Sequence, residues 1–201
     1  MARSTGAARP ESQSGRPLSS SARAELEALG LREDGSLGTN RPAGIDPVED
    51  RPTIPKRAIV APEILNEAYD YPQPVSFSRG MRVELPGATM LYLSGTASID
   101  EGGQSIHIGD LKAQCFRTFR NLTRLLASEG ASWHDVIRTS CYLRDIERDY
   151  DDFNTVRTMF MAAIGLSPLP ASTGIQARLC RSDLLVEIEA IAVIPGRSST
   201  D

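Results

Sequence analysis

Two carboxylates stand in the most strand-like run of the chain, "LLVEIEAIAVI", Leu184 to Ile194. Side chains alternate across a strand. Leu184, Val186, Ile188, Ala190, Ala192 and Ile194 therefore share one face, and Leu185, Glu187, Glu189, Ile191 and Val193 share the other. A carboxyl on a largely apolar face resists ionisation, because burial penalises the charged form, and a like charge nearby raises its proton affinity further. Alternate strand residues lie about 6–7 Å apart, so this coupling is moderate. Such a pair supplies a proton donor with a reason to stay protonated near neutral pH. Glu187 is the expected acid, with Glu189 either steering it or bonded to a backbone group or an arginine. On residue types alone a second reading stands beside it: a solvated sheet face, or ion pairs with Arg178 and Arg181 of "QARLCRSD".

The elements that must position these groups begin near Lys56. "VSFSRGMRVEL" and "TMLYLSGTASI" read as strands split by the turn "PGA", and "DEGGQSIHIGD" as a glycine turn with a brief strand. Asp110 can cap a helix whose Leu111, Cys115, Phe119, Leu122 and Leu126 fall on one face, with Gly130 placed to end it. "VIRTSCYLRD" reads as a strand, and a second helix runs from Tyr150 to Ile164 with Phe153, Val156, Phe160 and Ile164 inward. "ASTGIQARL" and "LLVEIEAIAVI" close the domain as strands. The order β-β-β-α-β-α-β-β predicts an α+β layer with both helices on one face of the sheet. The other face then needs a cover, which a neighbouring subunit can supply.

The chain has 201 residues, with 40% apolar and 24% charged side chains, and suits one domain with an appendage. Residues 1–56 are expected to be a disordered extension: the first aromatic residue is Tyr69, and "RPAGIDPVEDRPTIP" is typical of a segment that cannot bury enough surface to fold. Within it "SARAELEALG" can form a short helix. The folded domain is expected over 57–197, with 198–201 a disordered tail. A formal net charge of −4 argues against nucleic acid as a partner. No run approaches the roughly 18 apolar residues of a membrane helix, and three dispersed cysteines with no secretory signal suggest a reducing, cytoplasmic setting.

Other candidates are thinner. Arg138 shares a strand face with Ser140 and Tyr142, a polar stripe able to line a cleft, and an acidic substrate would need a cation such as Arg138, Arg178 or Arg181. Cys180 suits a pocket wall; it lacks a nearby histidine to make it a nucleophile. Cys115 and Cys141 read as core. His107 and His134 are too far apart for a local metal motif, and no phosphate-cradling glycine pattern occurs, so neither a metal nor a nucleotide cofactor is expected.

"YLSGTASIDEGGQSIHIGDLKAQ", "EGASWHDVIRTSCYLRD…DFNTVRTMF" and "PASTGIQARLCRSDLLVEIEAIAVIP" together resemble the Rid (YjgF) family over residues 70–196. The resemblance implies a chorismate-mutase-like α+β domain, a homotrimer with clefts between subunits, no cofactor, and hydrolysis of enamines or imines to ketoacids and ammonia. It also implies that Ser94 and Asn154 occupy family site positions. Two departures stand out. The family's carboxylate-gripping arginine of "PARS" is replaced in "PASTG", where Ala171 or Ser172 takes its place and Ser172 and Thr173 are the binding candidates. The family tyrosine falls at Phe77, or at Tyr71 on an alternative alignment. "SGTAS" and "CRSDLLVEIEA" also resemble the catalytic domain of chorismatases, enol-ether hydrolases about twice as long. There the first glutamate of "VEIE" is the proposed acid, matching Glu187, and Cys180 falls where some members tune the reaction. The expected partner is a small acidic metabolite. The competing expectation is a trimer that binds a metabolite without turning it over.

Overall fold

The computed structural model describes residues 17–46, 52–71 and 75–196. They fall into two units that divide between Pro52 and Thr53. In the first, "SARAELEALG" forms helix α1 (Ser20–Ala28), with the Ser19 side chain accepting from the Ala22 N–H. Turns and a single Leu31–Leu37 bridge follow the helix, while residues 1–16 and 47–51 of the expected extension and the expected tail, 198–201, lie outside the described residues. Among the described residues no helix is long and apolar enough to cross a membrane.

The second unit is a six-stranded sheet. Its strands are β1 (Lys56–Ala58), β2 (Gly80–Leu85), β3 (Ala88–Ala97), β4 (Val136–Leu143), β5 (Ala171–Gln176) and β6 (Val186–Pro195). The spatial order is β1-β2-β3-β6-β4-β5. β4 and β5 run parallel, and every other neighbouring pair is antiparallel. Helices α2 (Leu111–Ser128) and α3 (Ile146–Ala163) complete the domain. Asp110 caps α2 through Ala113 N–H, and Gly130 follows its end in the left-handed region at φ 75°, as the residue pattern requires. The α2 stripe Leu111, Cys115, Phe119, Leu122 and Leu126 is buried against Leu91, Leu93, Cys141, Ile188 and Ala190 of the sheet.

Three boundaries differ from the sequence reading. α3 starts at Ile146 rather than Tyr150, because Asp145 accepts from Arg148 N–H and caps it earlier. The brief strand expected in "DEGGQSIHIGD" is a turn. Asp100 accepts from Gln104 N–H, Gly103 sits at φ 82°, and a single bridge joins Ile99 to Ser105. The strand in "VSFSRGMRVEL" begins only at Gly80, where a β-carbon would lie 2.7 Å from the Tyr92 carbonyl oxygen and 2.8 Å from Ile59 Cδ1. The sixth strand is instead β1, three residues on the edge.

The sheet face away from the helices is lined by Met81, Val83, Met90, Tyr92, Ile191 and Val193, paired across β2, β3 and β6. None of these is fully buried, and Tyr92 is 42% exposed. A folded chain covers such a surface when it can, so this face is the apolar floor on which the glutamates lie.

Candidate active site

β6 is the central strand, paired with β3 on one side and β4 on the other. Glu187 stands between Ala97 and Tyr142, and Glu189 stands opposite Ser140. The entry to β6 is held from two sides. Gln114, fully buried on α2, donates to the Asp183 carbonyl (2.9 Å) and accepts from Leu185 N–H (2.8 Å). Arg144 donates to the Leu184 carbonyl (2.5 Å) and to that of Arg181. From α2, Asn121 donates to the carbonyls of Ala97 (3.0 Å) and Ile99 (2.9 Å), fixing the end of β3 that faces Glu187.

The ladder between β3 and β6 slips between Leu93 and Thr96, leaving Ser94 and Gly95 out of register. Bulges of this kind re-aim side chains. Here the slip makes room for an acid: a β-carbon on Gly95 would lie 1.9 Å from Glu187 Oε1 and 2.9 Å from its carboxyl carbon. The Glu187 carboxyl occupies the volume that only a glycine leaves free. Burial raises its pKa above the ordinary glutamate value, and the charge of Glu189 raises it further. Glu189 accepts a hydrogen bond from the Tyr142 hydroxyl at 3.0 Å. The Tyr142 pKa is itself raised, first by burial and then by that bond.

Among the described residues neither glutamate has an ion-pair partner. The salt-bridge reading of "QARLCRSD" is therefore not what the fold does. Arg181 donates instead to the Gly103 carbonyl (2.7 Å) and packs over the Tyr71 ring, and Arg178 is exposed. Cys180 is also exposed, and it makes no hydrogen bond to either acid.

Ser94 and Glu189 line a hollow of about 390 Å³ floored by Met81, Tyr92 and Ile191 and flanked by Phe77. The Ser94 hydroxyl donates to the Ser78 carbonyl at 2.7 Å. Tyr71 and Phe77, the two alternatives for the family tyrosine, pack edge to face at 6.4 Å. The Arg79 guanidinium lies 5.4 Å from both ring centroids and donates to the Tyr71 hydroxyl at 2.6 Å. Arg138, Tyr142 and Thr173 share the face of the acids, and Arg138 donates to the Thr173 hydroxyl at 3.0 Å.

Ser172 and Asn154 are not brought there. Ser172 accepts from Thr139, a buried residue on the helix side of the sheet, at 3.0 Å, and Arg157 on α3 joins Ser172 to Asn154. Within one chain these two residues lie behind the sheet. Residue reading also missed Gly95 and Arg157. A glycine inside a strand pattern is a signal for close approach of another group. Arg157, on an amphipathic helix, carried none. Among the described residues no cluster of three or more His, Cys, Asp or Glu side chains is disposed to hold a metal ion.

Known proteins resemble the chain over the six-stranded unit. Residues 73–194 match the family model described as Endoribonuclease L-PSP. A chorismatase from Streptomyces rapamycinicus is 31% identical over 150 residues, covering 71% of this chain but only 43% of that protein. The chain thus spans less than half the length of that relative. A 3-aminoacrylate deaminase RutC from Acinetobacter baylyi is 30% identical over 103 residues, 51% of this chain and 78% of the relative. Among solved structures, the YjgF gene product of E. coli superposes with a TM-score of 0.55 at 22% identity, over 68% of this chain and 98% of that one. The mixed sheet with both long helices on one face is the fold of that structure, and the chain belongs to the Endoribonuclease L-PSP family, the YjgF or Rid family.

Proposed function

We propose that the chain is a small-molecule hydrolase in which Glu187 protonates the β-carbon of an enamine or an enol-ether acid. The observation that carries this reading is the Glu187 carboxyl, seated over Gly95, raised in pKa by burial, and without an ion-pair partner among the described residues. An acid held this way is protonated where an ordinary glutamate is not. In the enamine branch Glu187 gives its proton to carbon, water adds to the resulting iminium, Glu187 regains a proton from that water, and ammonia leaves a ketoacid. In the enol-ether branch the same protonation gives an oxocarbenium ion, water adds, and the hemiketal breaks to a ketoacid and an alcohol. One water is consumed in either case. Glu189, held by a hydrogen bond from Tyr142, lies beside Glu187 and raises its proton affinity.

The relatives' names, a 3-aminoacrylate deaminase and a chorismatase, support one branch each. Incubation with freshly generated 2-aminoacrylate, and separately with chorismate, followed by assay for pyruvate, separates the branches. Pyruvate formed by the wild type and lost in Glu187→Gln is the expected result. No turnover of either, or turnover equal in Glu187→Gln, defeats the reading. The active form is expected to be a homotrimer, with a light-scattering mass three times that of the chain.

One observation favours a second reading, a metabolite-binding trimer without turnover. The hollow beside Glu189 has no arginine in its lining, and so lacks a direct grip on an acidic substrate. A ligand that raises the melting temperature and is recovered unchanged would support it.

A further inference from the structure

Where β3 slips out of its ladder with β6, the polar groups of Ser94 are all satisfied by other partners. Its N–H donates to the Arg79 carbonyl at 3.1 Å, and its hydroxyl donates to the Ser78 carbonyl at 2.7 Å. Its carbonyl accepts from Thr96 Oγ1 at 2.9 Å. A backbone carbonyl released from a ladder must find another donor, because an unmade bond at a shielded group is costly. The Thr96 hydroxyl is that donor. Thr96 is 3% exposed and pairs with the core residue Ile188, so its hydroxyl lies on the helix side of the sheet, away from bulk water.

Beyond the slip the strand is fastened again, where Asn121 donates to the Ala97 carbonyl at 3.0 Å. Between these two fastenings lies Gly95, against which the Glu187 carboxyl is seated. A bulge re-aims the groups beside it, and a hydroxyl that reaches back along its own strand competes with the ladder for the backbone. The titratable groups that face Glu187 are Glu189 on its own strand and Tyr142 on β4, while β3 presents Gly95 and Ala97. From the β3 side the acid is therefore governed by the shape of its seat.

We propose that Thr96 is a positioning residue for the acid: its hydroxyl bolts the bulge in the register that leaves room for Glu187 over Gly95. The role rests on the reading of Glu187 as the proton donor, and Thr96 acts from behind the sheet without touching the substrate. Without its bond the Ser94 carbonyl is left to seek the β6 ladder, and the register that seats the carboxyl is no longer the favoured one.

Thr96→Val removes the hydroxyl and keeps the shape of the side chain, whereas Thr96→Ser keeps the hydroxyl. In both, the Glu187 carboxyl is titrated by NMR with isotope-labelled glutamate, its signal assigned by its loss in Glu187→Gln. In parallel, kcat and KM are measured on the substrate that the wild type turns over. Thr96→Val should lower kcat about tenfold with KM unchanged, the scale of a slightly misplaced reactive group. Its Glu187 midpoint should move down toward the ordinary glutamate value as the carboxyl leaves its seat. Thr96→Ser should restore both. Thr96→Ala takes the place of Thr96→Val should the latter not fold. A Thr96→Val protein that melts earlier but keeps the wild-type midpoint and kcat makes Thr96 purely structural and overturns the proposal. Equal losses in Thr96→Ser, or a change confined to KM, overturn it as well. A wild type that turns over neither 2-aminoacrylate nor chorismate defeats the hydrolase reading, and the midpoints then decide the role of Thr96 alone: a lowered one in Thr96→Val upholds it, an unchanged one ends it.

Discussion

Glu129 and Glu187 are both drawn out of water, and the fold treats them in opposite ways. The Glu129 side chain is 5% exposed and lies between two arginines, Arg57 at 2.6 Å and Arg82 at 3.2 Å, with Arg82 also holding Glu84 at 2.6 Å. Its charge is matched on every side, so the corner where β1 and β2 meet the end of α2 is braced by ions. Glu187 sits near another carboxylate, over a glycine, with no ion-pair partner among the described residues. Burial with countercharges yields a strut; burial without them yields a stored proton. The same residue type thus serves stability at one end of the sheet and, on the proposed reading, chemistry at its centre.

Exchanging each acid for its amide is the strongest way to test that contrast. Glu187→Gln should lower kcat by at least about 100-fold, the usual scale of a lost general acid, and leave the melting temperature unchanged or higher. Glu129→Gln should do the reverse, destabilising by about 3 kcal/mol in denaturant unfolding because it breaks a buried pair, with turnover of the folded protein unaffected. A large loss of stability in Glu187→Gln would show that the carboxyl is structural after all.

Gly95→Ala sharpens the comparison by filling the space under the acid. The new methyl would overlap Glu187 Oε1, so the carboxyl must move, and kcat should fall roughly tenfold with a stability loss of about 1–3 kcal/mol. Wild-type kcat in this variant would mean that the acid acts from elsewhere.

Titration separates the two kinds of carboxylate by sign. The Glu187 pKa is raised in the folded state, so its contribution is fully present below the ordinary glutamate value and lost as pH rises through the folded value. The unfolding free energy of the wild type should therefore decline over that window relative to Glu187→Gln. Glu101 behaves the other way. Its pKa is lowered from 4.5 to about 2, first by the bond from Arg117, then by its own backbone N–H and by Arg124. Its contribution is present above 4.5 and disappears as pH falls toward 2, a loss that Glu101→Gln should remove. Parallel pH profiles for wild type and Glu187→Gln would contradict the raised value.

The smallest effect expected is that of Tyr142→Phe. It frees Glu189 from a single hydrogen bond, and kcat should change about fivefold, the scale of one neutral contact to a charged group.

Much of this architecture was legible in the residue pattern, for identifiable reasons. The periodic stripes of α2 and α3 and the alternation in "LLVEIEAIAVI" reflect burial on one side of an element, which sequence encodes directly. β1 carries no period in its three residues, and Ile106 and Ile108 imitate a strand after the Gly103 turn where the fold has a single bridge at Ser105. At the site, alternation placed Glu187 and Glu189 together on one face. The lack of an ion-pair partner among the described residues is a fact of three dimensions, since Arg178 and Arg181 are close in sequence and turned elsewhere. Within one chain Ser172 lies behind the sheet because β5 presents alternate residues to opposite faces, and Asn154 lies there because α3 carries it.

β6 is zipped to a neighbour along both margins, so the acid cannot be re-aimed without opening two ladders at once. Any retuning toward a different molecule must then come from the periphery, from Phe77, Met81 and Tyr92, whose replacement disturbs no backbone bond of the central strand. A reaction anchored to an immovable post and a selectivity carried by exchangeable borders would let one scaffold pass from one substrate to another without rebuilding its chemistry.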